Sequence, residues 1–155
     1  DLANTRLAMS ATYFRRLSPV RVFFARLSGV AGHELDLDQL LEFGGDSGLR
    51  GYPRAFGSGD SRVLLTLEQR LYTDWYPFRL FRVGAAAFFD VGRVWGRDAT
   101  GLTDDRVLAD AGIGLRLVST RGNSNRVFHI DLAFPLRRDP QVDRVQLSIE
   151  AKRSF

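Results

Sequence analysis

Hydrophobic residues recur at every second position along most of the chain. From Phe81 the odd positions read Phe81, Val83, Ala85, Ala87, Phe89 and Val91, and between them lie Arg82, Gly84, Ala86, Phe88, Asp90 and Gly92. Successive side chains of a strand point to opposite faces, so this spacing predicts a strand with one apolar and one small or polar face. Helical spacing would mix Arg82 and Asp90 into the apolar set. The same alternation runs through 63–71, 109–117, 128–134 and 145–151, and less cleanly through 7–17 and 20–30. These segments make seven strands, separated by turn-forming residues at 18–19, 74–77, 96–105, 121–125 and 137–140. Such short connections predict an antiparallel up-and-down meander and exclude a parallel sheet, which needs crossover helices. Only 35–43 has a helical look. No repeat beyond the strand–turn rhythm and no low-complexity tract is present.

Two environments produce this alternation. A soluble sheet turns its apolar face to a core, whereas a transmembrane barrel turns it to lipid and its polar face to the lumen. The pattern alone slightly favours the soluble case, which is the commoner. Three details shift the expectation to a transmembrane β-barrel. The strands exceed the about 5–6 residues usual in soluble domains. The polar faces mix Gly and Ala with Arg, Asp and Glu, as a crowded charged interior requires. Phe155 closes the last strand as a terminal aromatic. Tyr72, Trp75, Tyr76, Trp95 and Phe155, near strand ends, fit an aromatic girdle, with core packing as the alternative.

Composition sharpens this picture in a few places. The 155 residues suffice for one domain with a real core. The absence of cysteine excludes disulfides, a thiol nucleophile and thiolate metal sites. The net charge of +4 arises from 22 basic residues, almost all arginine, against 18 acids. Charge alone does not separate nucleic acid from an anionic surface. The pairs Arg15-Arg16 and Arg137-Arg138 flank apolar bands and are read as contacts to lipid headgroups, with no nucleic-acid partner expected. No apolar run approaches the roughly 20 residues of a spanning helix. No secretory signal opens the sequence, so the chain is expected to be a mature form or a fragment.

Two stretches suggest chemistry that their surroundings do not support. "GDSG" at 45–48 resembles a serine-protease nucleophile loop, but such a loop needs a histidine base and a buried aspartate. Only His33 and His129 exist, and Leu49 stands where a further glycine is usual. Gly44, Gly45 and Gly48 are better read as a sharply turning loop. His33, Glu34, Asp36 and Asp38 match no tight ligand spacing and read as an acidic solvated loop. No catalytic residue, cofactor or metal is therefore expected.

Immediately downstream lies "LRGY", Leu49, Arg50, Gly51 and Tyr52, within a long glycine-rich loop at 31–60. Two strands on comes "FFDVG", with Phe88, Asp90 and Gly92. Together with Glu68-Gln69-Arg70, "GIGLRL" at 112–117, "DLAFPL" at 131–136 and the terminal aromatic, these motifs resemble the outer-membrane protein 85 superfamily. The resemblance spans essentially the whole chain and matches the C-terminal half of the family's barrel. It implies that the LRGY tip folds back into the barrel and that Arg50 contacts Asp90 on the wall. Elementary electrostatics points the same way. A partly desolvated guanidinium needs a carboxylate, Asp90 can accept it bidentately, and Glu68 shares the required parity. The resemblance also implies a C-terminal β-signal at Leu147, Ile149 and Phe155.

What it implies for function is a bacterial outer-membrane protein of 1–155, without a POTRA domain. Its expected role is polypeptide insertion or translocation, or membrane anchoring. The alternatives are a passive porin-like or structural barrel and, less favoured, a soluble β-barrel binding module. Outer-membrane lipid and a translocated polypeptide are the expected partners. Seven or eight strands cannot house a thirty-residue loop, since an eight-stranded barrel is filled by its own side chains. The chain is therefore expected to form half of a roughly sixteen-stranded barrel, closed by a second copy as a homodimer. Otherwise it is a fragment of a longer chain.

Overall fold

The computed structural model describes residues 4–33, 35–36, 39–97, 103–119 and 126–153. Among the described residues nine strands follow one another: β1 (Thr5–Ser18), β2 (Arg21–His33), β3 (Leu41–Phe43), β4 (Gly57–Gly59), β5 (Ser61–Tyr72), β6 (Phe81–Arg97), β7 (Thr103–Ser119), β8 (Arg126–Pro135) and β9 (Gln146–Arg153). Seven of them form one antiparallel sheet in the order β1-β2-β5-β6-β7-β8-β9. These are the seven long strands that the alternation predicts, in the predicted meander. The small β3–β4 ribbon belongs to the long loop between β2 and β5.

The edges of the sheet are β1 and β9, which do not pair with each other, so the sheet is an open wall. Expected boundaries shift in two places. Residues 41–43 of the segment with a helical look are a strand paired with 57–59, with Leu41 and Phe43 buried and Glu42 between them exposed. The expected turn at 96–105 is narrower. The β6–β7 ladder continues to Arg97 opposite Thr103, helped by Arg93 donating to both carboxylate oxygens of Asp105 at 2.8 Å. The expected turn at 121–125 and the terminal Phe155 lie outside the described residues.

The distribution of burial inverts that of a soluble sheet. On β6 the even residues Ala86, Phe88, Asp90 and Val94 are buried, whereas Ala85, Ala87 and Phe89 on the odd face are exposed. Asp90, Asp110 and Arg116 are 0 % exposed, yet Leu147 and Ile149 are 64 % and 69 % exposed. Across β5 to β8 the polar parity faces the long loop and the apolar parity faces outward. Hydrophobic burial would drive the opposite arrangement in water. No helix among the described residues is long and apolar enough to cross a membrane, which says nothing about crossing by strands.

Candidate functional site: an arginine clasped by the sheet

The loop between β2 and β5 reaches the inner face because its backbone turns tightly and the wall beneath is small. The "GDS" stretch forms a single 3-10 turn, Gly45–Ser47, ended by Gly48 at φ 114°, a left-handed value that favours glycine. The Ser47 hydroxyl donates to the Gly44 carbonyl at 2.8 Å and accepts from the Gly44 amide at 3.0 Å. That serine closes a turn. Phe43, Leu49 and Tyr52 then pack with Leu64, Val94 and Leu108 of the wall into one apolar cluster, which Phe56 and Val142 flank. Gly92 leaves the space for this packing, since a Cβ there would sit 2.9 Å from the Phe43 ring.

Leu49 and Tyr52 thereby hold Arg50 between them in a buried position. Arg50 Nε donates to Asp90 Oδ2 at 2.8 Å and Nη2 to Asp90 Oδ1 at 3.2 Å, a bidentate fork. Its Nη1 donates to Glu68 Oε2 at 3.1 Å and to Asp131 Oδ2 at 3.0 Å. The guanidinium carbon lies 3.3 Å from the centre of the Phe88 ring, close enough for a cation–π contact. One side chain thus touches β5, β6 and β8. Burial disfavours the charged guanidinium, but the hydrogen bond and charge of Asp90, then the charges of Glu68 and Asp131, outweigh it and raise the Arg50 pKa above its ordinary value.

A second arginine completes the cluster. Arg116 on β7 donates to Glu68 Oε1 from Nε at 3.0 Å and from Nη2 at 2.9 Å, and its Nη1 donates to Asp131 Oδ1. Arg70 Nε adds a further bond to Glu68 Oε1 at 2.7 Å. Three guanidiniums therefore face the carboxylates of Glu68, Asp90 and Asp131, so that each of these three carboxylates has a cationic partner. Glycine again makes room: a Cβ on Gly114 would lie 1.8 Å from Asp131 Oδ1. Gly51 packs equally closely, since a Cβ there would lie 2.5 Å from the Asp110 Cβ. The Tyr52 hydroxyl donates to the Ala109 carbonyl at 3.1 Å and ties the loop to β7.

The structure thus brings Leu49, Arg50, Gly51, Tyr52, Glu68, Phe88, Asp90 and Gly92 into one place. Gly92 serves the Phe43 ring rather than the guanidinium. Leu147 and Ile149 lie on the outward face of β9, away from the cluster, and Phe155 lies outside the described residues. Sequence reasoning assigned no role in the cluster to Arg116, Asp131 or Asp110. The first two sit in the quoted "GIGLRL" and "DLAFPL", and their parity could have flagged them: Arg116 follows Gly112 and Gly114 on one face, and Asp131 interrupts Ile130 and Leu132. Asp110 lies directly across from Asp90 in the β6–β7 register, fully buried, with neither oxygen in a hydrogen bond.

Of the acidic loop weighed as a metal site, Glu34 and Asp38 lie outside the described residues, and Asp36 Oδ2 accepts from Asn4 Nδ2 at 3.0 Å. Among the described residues no group of three or more histidines and acids could hold a metal.

An antiparallel wall of long strands, apolar on one face and charged on the other, with a loop clasped to the charged face, defines an all-β domain. The chain belongs to the Omp85 superfamily, whose domain model matches residues 1–152. No curated protein and no solved structure matches it.

Proposed function

We propose that the chain is an outer-membrane β-barrel wall whose Arg50-bearing loop is a lock, and that it works in insertion or translocation of polypeptides or as a membrane anchor. The observation that carries this reading is the inverted burial: paired charges inside, exposed aliphatic side chains outside. Lipid rewards that arrangement and water penalises it. Superfamily membership supports the outer membrane of a Gram-negative bacterium as the location. The roles assigned to Arg50 and its carboxylates are structural, and no enzymatic activity is proposed.

An open sheet in hydrocarbon would leave the backbone groups of β1 and β9 unsatisfied, at several kcal/mol each. A second copy joined edge to edge supplies partners for both edges and yields a barrel of roughly fourteen to sixteen strands, wide enough for the loop. The test is the mass of the detergent-extracted particle together with the strand count of its closed barrel. A two-chain particle supports the homodimer. A monomeric barrel closed on itself removes it, and strands supplied from elsewhere in a longer chain replace it. Monomeric solubility without detergent overturns the membrane reading altogether.

The packed loop favours one second reading, a structural barrel that transports nothing specific. Leu49, Arg50 and Tyr52 are buried against the wall, as in a plug. Conductance that stays low in the intact protein and rises on deletion of 39–57 supports a gated pore. Conductance unchanged by the deletion supports the structural role.

A further inference from the structure

A second feature lies at the loop-bearing end of the wall, outside the Arg50 cluster. Antiparallel order brings the β8–β9 connection to the same end as the β2–β5 loop, and Val142 of that connection packs against the loop's apolar cluster. Pro135, Pro140 and Val142 line a cleft of about 510 Å³ there, together with Arg137, Arg138 and Arg144. Among the described residues Asp139 is the one carboxylate in the lining, its Oδ1 accepting from the Gln141 backbone amide at 2.9 Å, and Asp143 is exposed beside Arg144. None of the three arginines forms an ion pair with a described residue. All three are exposed, so the cleft presents positive charge to an anion arriving from outside.

The surroundings bear on what would carry such an anion. Flanking the cleft residues in sequence, Phe134 and Leu136 on one side of the connection and Val145 and Leu147 on the other are all exposed. Arginine forks match phosphate oxygens bidentately, and the adjoining aliphatic column matches acyl chains. We propose that Arg137, Arg138 and Arg144 form a binding site for the phosphomonoester headgroup of a membrane lipid, whose acyl chains lie along Phe134, Leu136, Val145 and Leu147. The inference rests on the membrane-wall reading above, because only a chain embedded in lipid presents this cleft at headgroup level. A lipid held there would bear on Val142 and thereby on the packing that seats the loop.

The test uses the full chain reconstituted in vesicles of phosphatidylcholine containing phosphatidic acid, then extracted in mild detergent for counting of retained lipid by native mass spectrometry. Phosphatidic acid is expected to be retained over phosphatidylcholine. The triple variant R137Q/R138Q/R144Q is expected to lose that preference by about tenfold or more. The triple lysine variant, which keeps charge but not the fork, falls between the two. The pair R79Q/R82Q, exposed at the β5–β6 connection on the opposite end of the wall, serves as a control for general electrostatics and is expected to leave retention unchanged. Protection of the loop from trypsin verifies that each variant is folded.

Retention unaffected by the triple glutamine variant overturns the site. So does equal loss in R79Q/R82Q, or displacement of phosphatidic acid by inorganic phosphate at equal concentration, which would make this a free-phosphate site. Wild-type protein that inserts but shows no headgroup preference refutes this site alone. Protein that fails to enter any vesicle refutes the membrane reading and the site with it.

Discussion

Arg50 on the loop and Asp90 on β6 face each other as a two-pronged fork, Nε to Oδ2 at 2.8 Å and Nη2 to Oδ1 at 3.2 Å, across forty positions of sequence. The pair is buried, so its value lies less in mutual attraction than in what either partner would suffer alone. Removing Arg50 leaves Glu68, Asp90 and Asp131 with only Arg116 and Arg70 between them. Arg50→Ala is therefore expected to lower stability by about 3–5 kcal/mol and to expose the loop to trypsin at Arg54. Denaturant midpoints and limited digestion measure this. An unchanged midpoint with an intact loop would remove the lock.

Asp90→Ala should mimic that loss, and the double variant should cost much less than the sum of the single ones. A coupling of about 1–3 kcal/mol is expected from the four denaturation curves of the cycle. Additive losses would show that the two residues act separately. Arg50→Lys, which keeps the charge but cannot reach β5, β6 and β8 at once, should recover only part of the stability.

Gly114 tests whether the cluster depends on the space beneath it. Gly114→Ala places a methyl group 1.8 Å from Asp131 Oδ1 and 2.7 Å from Arg116 Nη1. A cost of about 1–3 kcal/mol is expected from such overpacking. Gly29→Ala is the matched control, because its nearest neighbour, the Arg62 carbonyl oxygen, lies at 3.9 Å. Equal midpoints for the two variants would count against the crowded-cluster account.

Asp110 should behave in the opposite sense. Its buried carboxylate lies across from Asp90 with neither oxygen in a hydrogen bond. Asp110→Asn preserves shape and removes the acid, so stability is expected to rise by about 1–2 kcal/mol. A loss of that size would mean that Asp110 contributes favourably to the seating of Gly51.

The fold was legible because its signal is local. Period-two alternation located all seven strands of the sheet, and turn residues set their order. The face that would be buried was not legible from alternation alone, since Phe89 and Asp90 swap roles between a soluble core and a lipid-facing wall. Strand length and the small residues of the polar face tipped that choice. The Arg50–Asp90 contact was reachable because two motifs resemble a family in which they meet. Arg116 and Asp131 were not reached, because their meeting depends on cross-strand register: Gly114 opposite Asp131 places both charges beside Glu68. No single strand carries that information. Residues 41–43 misled because their pairing partner, 57–59, lies beyond the whole LRGY turn.

One guanidinium bonded to β5, β6 and β8 has a mechanical meaning. Those three strands span four neighbouring places in the sheet, with Arg116 of β7 bridging the gap. Flattening the wall there draws Glu68, Asp90 and Asp131 apart and loosens their hold on Arg50. Withdrawing Arg50 in turn leaves like charges that push the wall open. Curvature and loop occupancy are thus two readings of one equilibrium, and by reciprocity whatever bends the sheet must also grip or free the loop to the same extent.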